Sequence, residues 1–232
     1  MTWNPMSWAR TRLLRPLAVG LFGLPLVQRA GHRLIYLPRV EDWRRKHPCH
    51  EAASRLEMYE QVYRQERLDR AVDYLEFGVF QGASMRWWVE KNRDPQSRFV
   101  GFDTFEGLPE DWALTQMPKG TFSTAGTFPQ ISDTRCRFVK GLFQETLQVF
   151  LRDFARGERL IVHLDADLYS STLFVLTSLA GLFRRGDLLI FDEFYGGLDE
   201  FRAFEDFCSA FPTRFTALAQ ARRYTQVALR LE

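Results

Sequence analysis

Two short apolar runs, each ending in carboxylates, constrain the fold of this chain more than any other feature. The run LIVHL from Leu160 leads into Asp165 and Asp167, and the run LLIF leads into Asp192 and Glu193. Runs this short, bounded by polar residues, are typical of buried strands in a parallel sheet. Ligands of such sheets bind at the carboxyl ends of the strands. We therefore expect the four acids to converge, with a divalent cation such as Mg²⁺ offsetting their repulsion.

Length and composition fit one α/β domain with additions. The chain has 232 residues, of which 46% are hydrophobic, and its net charge of +2 does not indicate a nucleic-acid partner. The cysteines Cys49, Cys136 and Cys208 are scattered and form no C-x-x-C pair. This favours reduced thiols and a cytoplasmic protein over a disulfide framework or a zinc site.

Residues 1–49 form a separate N-terminal arm in our interpretation, and residues 50–232 form the main domain. Arginines occur throughout the arm on both sides of an apolar stretch from Leu17 to Val27, which is too short to span a bilayer. Two interpretations stay open. The arm packs on the domain or on a second subunit of a homo-oligomer, which we favour, or it rests as a basic amphipathic segment on an anionic membrane surface.

A glycine turn between a strand and a helix indicates a nucleotide-like ligand. Glu76, Gly78 and Gly82 give the spacing E-x-G-x-x-x-G, and a second strand ends at Asp103 about twenty residues later. Glycines let a backbone approach a ligand closely, and an acid at the second strand end accepts hydrogen bonds from a ribose. A tight turn explains the glycines alone, but the combination with Asp103 favours nucleoside binding.

The remaining pattern predicts alternating strands and helices with a closing antiparallel pair of strands. The polar segment 104–134 is long for a compact domain, and its Trp112, Phe122 and Phe128 are candidates to cover a ligand. A helix is expected from His50 to Arg70, and hydroxyl side chains at 170–172 are expected to cap another. His163 is expected to be a core residue.

Four motifs in order resemble the class I S-adenosylmethionine-dependent methyltransferases. They are LEFGVFQGAS from Leu75, GFDTFEGLP from Gly101, LDADLYSST from Leu164 and FDEF from Phe191. Within that class the chain is most similar to the macrocin, mycinamicin and novobiocin sugar O-methyltransferases. The resemblance implies a doubly wound, seven-stranded, mostly parallel, Rossmann-like sheet with an antiparallel C-terminal strand, to which the arm adds an N-terminal helical extension.

The resemblance also implies roles for individual residues. The cofactor S-adenosylmethionine would be bound by Glu76, Phe77, Gly78, Gly82, Ser84, Asp103, Thr104, Phe105, Gly141, Leu142 and Phe143. The family's Mg²⁺ site maps onto Asp165, Asp192 and Glu193, its general base maps onto Asp167, and Asp165 would share in catalysis. One departure is that Glu193 stands where the family usually has aspartate.

These implications define the expected function and its rivals. We expect an O-methyltransferase, assisted by a divalent cation, that acts on a hydroxyl of a sugar or glycosylated small molecule, or of a glycan. A catechol-like phenol is the alternative acceptor, and a non-catalytic methyltransferase-like binding domain is the alternative class. A nicotinamide-dependent oxidoreductase is disfavoured because the G-x-G-x-x-G turn is absent.

Overall fold

The computed structural model describes residues 25–112, 115–196 and 198–232, and an eight-stranded sheet runs through them. The strands are β1 (His50–Ala52), β2 (Asp73–Phe77), β3 (Arg98–Asp103), β4 (Cys136–Lys140), β5 (Leu160–Leu164), β6 (Leu188–Phe191), β7 (Phe215–Ala221) and β8 (Gln226–Leu231). The helices are α1 (Pro25–Lys46), α2 (Arg55–Gln65), α3 (Ala83–Lys91), α4 (Phe143–Asp153), α5 (Tyr169–Leu179) and α6 (Asp199–Ala210), with a short 3₁₀ turn at Ala180–Leu182.

The order of the strands across the sheet is β1-β7-β8-β6-β5-β2-β3-β4. Every neighbouring pair is parallel except the two that involve β8, which runs antiparallel to β6 and β7. This confirms the predicted doubly wound sheet with an antiparallel C-terminal strand. Seven strands, β2 to β8, correspond to the expected sheet, and β1 adds an eighth at its edge. The strand order reverses between β5 and β2, which is where ligands bind in such sheets.

Helices cover both faces of the sheet, so the central strands are buried throughout. All residues of β2, β5 and β6 are buried. One face packs against α1, α4, α5 and α6, and the other packs against α2 and α3. Continuous apolar runs such as LLIF are the sequence signature of strands buried on both faces.

The C-terminal half of α1 is part of the main core. Val40 and Trp43 are buried, and the Trp43 ring lies 4.9 Å from that of Phe194 and stacks at 5.9 Å on that of Phe215. Most of the apolar stretch of the arm lies outside the described residues. No described helix is long and apolar enough to cross a membrane. The division of the chain after residue 49, and the contact of the arm with a membrane or a second subunit, stay predictions.

Two local predictions differ from the structure. The segment expected to be helical from His50 forms β1 first and becomes helical only at Arg55, because its first residues pair with β7. The expected capping of α5 by hydroxyls at 170–172 is wrong. The helix already begins at Tyr169, with Leu168 at the N-cap position and no side-chain cap, so the hydroxyls at 170–172 lie inside its first turn.

Candidate active site

A cavity of about 360 Å³ opens at the carboxyl ends of β2, β3, β5 and β6. This is the size of a small-molecule site. The predicted site residues that line it are Gly78, Asp103, Thr104, Leu142, Phe143, Asp165, Asp167, Asp192 and Glu193. The cavity therefore brings the glycine turn and both acidic strand ends together.

The glycine-turn half of the cavity is organised by Asp103. Its Oδ2 accepts hydrogen bonds from the backbone N–H groups of Val79 at 2.7 Å and Phe80 at 2.8 Å, and its Oδ1 accepts one from Phe105 at 2.7 Å. The acid thus fixes the turn after β2 against the end of β3. Each carboxylate oxygen has two lone pairs, so Asp103 retains acceptor capacity toward a ligand hydroxyl.

The two glycines of the turn serve different purposes. Gly78 has a φ of +91°, and a Cβ there would collide with the backbone carbonyl of Asp165. Glycine is therefore required for β2 and β5 to meet beside the cavity. Gly82 has a φ of +74° at the N-cap of α3, and the ring of Pro129 packs against it. Gly82 thus contacts the long loop and is not among the cavity-lining residues.

Several other predicted cofactor residues lie behind the cavity wall. Phe77 stacks on Phe102 at 4.8 Å between ring centroids, and Phe105 packs against Phe128 at 4.8 Å. Gly141, with a φ of +140°, forms the turn before α4. None of these residues lines the cavity. They support the wall, so any contact of theirs with a cofactor stays a prediction.

A row of buried polar groups runs beneath the glycine turn. The Tyr74 hydroxyl donates to Glu76 Oε2 at 2.9 Å and lies 2.7 Å from His163 Nδ1. On the other side of the imidazole, Nε2 lies 3.2 Å from the Tyr59 hydroxyl, which is 3.3 Å from Ser84 Oγ. Burial raises the pKa of Glu76 to about 8 and lowers that of His163 to about 3. His163 is the buried core residue that the sequence predicted.

Carboxylates crowd the other half of the cavity. Asp165 and Asp167 follow β5, and Asp192 and Glu193 follow β6. Burial and the neighbouring acids raise the pKa of Asp165 well above its usual value, and they raise those of Asp167 and Glu193 to about 7. Asp167 has a φ of +61°, a backbone conformation that non-glycine residues adopt at a cost. The crowding that the sequence predicted is therefore present.

The positive group beside these acids is Arg55, at the start of α2. Its Nη1 lies 3.1 Å from both carboxylate oxygens of Asp192 and 3.9 Å from Asp165 Oδ2. Within the described ranges no three His, Cys, Asp or Glu side chains are arranged to hold a metal ion. The predicted set Asp165, Asp192 and Glu193 therefore does not fit a metal as it is arranged, because a guanidinium occupies the position between the first two.

Glu193 and Glu200 are the other two acids beside the ends of β5 and β6. The Glu193 carboxylate folds back over Gly196, where any Cβ would collide with it. Its backbone N–H donates to Glu200 Oε2 at 3.0 Å, and that of Ala166 donates to Glu200 Oε1 at 3.3 Å. Glu200, fully buried on α6, thus joins the ends of β5 and β6. Burial raises its pKa well above the usual value.

The long loop after β3 forms the remaining wall. Trp112 and Phe122 line the cavity, whereas Phe128 packs on Phe105 and Phe138, and the covering of a ligand by the first two stays a prediction. The Trp112 indole N–H donates to Asp199 Oδ2 at 2.8 Å, which ties the loop to α6. Sequence reasoning missed further lining residues, namely Arg55, Phe80, Gly107, Leu108, Pro109, Thr115, Met117, Gln144, Ala166 and Ser171.

A family comparison agrees with this geometry. The profile of a family described as "Methyltransferase domain" matches residues 75–194, which is just over half of the chain. The chain belongs to this methyltransferase family. The matched region contains both halves of the cavity but excludes Arg55. No curated protein matched the chain.

Solved structures show the same fold at low sequence identity. CalS11, a calicheamicin methyltransferase, is 21% identical, with a TM-score of 0.62 over 99% of this chain and 94% of that one. The O-methyltransferase NovP is 19% identical, with a TM-score of 0.54 over 75% and 76%. An O-methyltransferase from Bacillus cereus in complex with SAH is 15% identical, with a TM-score of 0.51 over 96% of each chain. This methyltransferase thus has the fold of known O-methyltransferases.

Proposed function

We propose that this methyltransferase uses S-adenosylmethionine to methylate a hydroxyl group of a sugar or a glycosylated small molecule. The observation that carries the proposal is the shared cavity, in which the Gly78–Asp103 side adjoins the acids that follow β5 and β6. The cofactor, when bound, supplies a methyl group on a sulfonium. A methyl donor and a hydroxyl acceptor must meet in one space, and this cavity has a suitable half for each.

The chemistry of the cofactor half suits a nucleoside. Gly78 presents no side chain, Asp103 offers carboxylate oxygens to a ribose, and Leu142 and Phe143 offer an apolar surface to a base. These residues would bind and orient the cofactor. Glu76 lies beneath them, 1% exposed, so a direct contact with the cofactor would require it to become accessible.

The acceptor half provides a base. Asp167 lines the cavity, and we assign it the proton of the acceptor hydroxyl because Asp165 and Asp192 contact Arg55 and the Glu193 carboxylate folds over Gly196. Trp112, held by Asp199, offers a fixed aromatic face for the acceptor. A carboxylate base beside a rigid aromatic ring suits a sugar, which presents both hydroxyls and an apolar C–H face.

A structurally similar enzyme favours the same acceptor class. CalS11 is a TDP-rhamnose 3′-O-methyltransferase, and its apo structure is similar to this chain with 22% identity and a TM-score of 0.54. That substrate belongs to CalS11. For this chain a sugar acceptor is our proposal, and the predicted divalent cation forms no part of it because Arg55 lies between Asp165 and Asp192.

Two measurements test the proposal. Calorimetry should show binding of S-adenosylmethionine and S-adenosylhomocysteine, and tighter binding of NAD than of either would contradict the cofactor assignment. A labelled methyl group should then pass to members of a panel of nucleotide sugars and glycosides. Transfer to catechols alone would replace the acceptor class, and cofactor binding without transfer to any acceptor would favour a non-catalytic binding domain.

A further inference from the structure

We infer that the guanidinium of Arg55 is the cation of the acceptor site, at the position that the family resemblance assigns to a divalent metal. The inference rests on the proposed function, because a cation at these acids matters when a hydroxyl is methylated beside them. Arg55 lines the same cavity as Asp167 and lies outside residues 75–194, so the family profile does not include it.

The contacts of Arg55 are those of a bridging cation. Its Nη1 lies 3.1 Å from each oxygen of Asp192 and 3.9 Å from Asp165 Oδ2, so one nitrogen contacts the acids after two neighbouring strands. A magnesium ion needs oxygens at about 2.0–2.1 Å in octahedral geometry. A guanidinium and a metal cannot occupy this position together.

The position of Arg55 is fixed by the fold. Ser54 caps α2 by accepting a hydrogen bond from the Glu57 N–H at 3.2 Å, and Glu57 in turn accepts one from the Ala53 N–H at 2.9 Å. Just before this cap, β1 pairs with β7 at the edge of the sheet. Just after it, Tyr59 and its neighbours on α2 are buried against the sheet. Arg55 is therefore anchored on both sides.

The third predicted metal ligand is oriented elsewhere. Glu193 folds over Gly196, and the salt bridges of Arg55 within the described residues are those with Asp165 and Asp192. Two carboxylates and one permanent positive charge form a more nearly balanced group than two carboxylates alone. An arginine side chain does not lose its proton in proteins, so this cation is present at every working pH.

Arg55 also has donors to spare for the acceptor. A guanidinium carries five N–H groups in a fixed plane, and the contacts above use one nitrogen. The others are available to donate to an acceptor oxygen in the cavity that Arg55 shares with the base Asp167. Arg55 would thus orient the hydroxyl and stabilise negative charge that develops on its oxygen.

The decisive experiment is Mn²⁺ binding by the full chain, measured by electron paramagnetic resonance with S-adenosylhomocysteine present. The wild type should leave Mn²⁺ free. Arg55→Met should bind it, because the two acids lose their cation, and adding Asp192→Asn should remove that binding. Arg64→Met is the matched control. Arg64 lies on the same helix with its side chain 75% exposed, and its replacement should change nothing.

Turnover gives the second readout. Wild-type methyl transfer should be unchanged in excess chelator, and Arg55→Met should lower it by about 10²–10³-fold, as loss of a transition-state donor does. Arg55→Lys keeps the charge and should bind no Mn²⁺. Its turnover should be insensitive to chelator, which preserves the test if Arg55→Met fails to fold.

Two results would overturn the inference. The first is Mn²⁺ binding by the wild type that Asp192→Asn removes, together with turnover that a chelator abolishes. The second is a folded Arg55→Met protein that keeps full turnover. Mn²⁺ binding can be measured without an acceptor, so a failure of the inference about Arg55 can be distinguished from a failure of the proposed function. Absence of transfer to any acceptor refutes the proposed function, whereas metal-dependent transfer to a sugar refutes the role of Arg55.

Discussion

Acids at the two ends of the strands have opposite surroundings: those at the amino ends are paired with arginines, and those at the carboxyl ends lie mainly beside other acids. At the amino ends, Asp73 accepts two hydrogen bonds from Arg98 at 2.6 and 2.8 Å, and Asp187 accepts two from Arg156 at 2.7 and 2.9 Å. At the carboxyl ends of β5 and β6, four acids crowd the cavity, namely Asp165, Asp167, Asp192 and Glu193, and their closest ion pairs in the described chain are those with Arg55. The paired acids hold elements together, whereas crowded acids cost stability and are retained where chemistry needs them.

The largest expected effect is on turnover at the crowded end. Asp167→Asn should lower methyl transfer by about 10²–10⁴-fold, the usual contribution of a positioned base. The same change should leave the free energy of unfolding equal or higher, because it removes a charge that its neighbours repel. Labelled methyl transfer and thermal unfolding would measure the two effects. A destabilised variant with normal turnover would reverse our interpretation of this acid.

At the paired end, Asp187→Ala should do the opposite. Asp187 is 1% exposed and also accepts backbone N–H groups of Leu160 at 3.0 Å and Arg184 at 2.7 Å. Removing it leaves Arg156 buried without its partner, which should cost about 3–5 kcal/mol of unfolding free energy. Cofactor affinity should stay unchanged below the unfolding temperature. Asp153→Ala, an exposed change on α4, is the control and should cost less than about 0.5 kcal/mol.

The pH dependence of stability should distinguish acids whose pKa is raised from acids paired with arginine. Glu76, near the carboxyl end of β2, is an acid of the first kind. The pKa of Glu76 is raised to about 8 by burial, so the folded state binds its proton more tightly than the unfolded state. The free energy of unfolding should therefore fall as the pH rises from about 4.5 through 8, by up to a few kcal/mol. Glu76→Gln removes this titration and should make the fall shallower, while the part due to the other acids with raised pKa values remains. Denaturant unfolding at several pH values would show it, and parallel profiles would contradict the raised pKa.

The smallest expected effect concerns the cofactor half. Asp103→Ala should weaken S-adenosylmethionine binding by about 1–3 kcal/mol, because backbone N–H groups of the glycine turn and a ligand hydroxyl lose their acceptor. Calorimetry would measure the change. Glu90→Ala, an exposed substitution on α3, should bind the cofactor as the wild type does. Equal affinity of the Asp103→Ala variant would remove Asp103 from the cofactor site.

The sequence predicted the central architecture because buried parallel strands leave a strong pattern. Apolar runs ending in acids located β5 and β6 and placed Asp165 and Asp192 together. The edge strand β1 was missed because three residues are too few for periodicity. Arg55 was missed because a charge at a helix start is usually solvated, and its partner Asp192 is 137 residues away.

The direction in which side chains of the site face could likewise not be predicted from the sequence. Gly82 and Phe105 belong to matching motifs, yet tertiary packing turns them toward Pro129 and Phe128. Glu200 resembles an ordinary helix-surface acid, and only the fold shows that it is buried between two strand ends. A motif specifies which residues are near a site, but neighbouring elements decide which of them face it.

The row of polar groups beneath the glycine turn has a consequence for the tautomer of His163. When Glu76 is ionised, which its pKa of about 8 places at alkaline pH, the single hydroxyl hydrogen of Tyr74 is donated to it, so the Tyr74 oxygen accepts the hydrogen carried by His163 Nδ1. The Nε2 lone pair then accepts from Tyr59, whose own oxygen accepts from Ser84. One carboxylate thereby sets the direction of every hydrogen bond in the row. A change of charge at Glu76 would reach Tyr59, on the helix that carries Arg55, as a reversal of hydroxyl orientation with no displacement of the backbone.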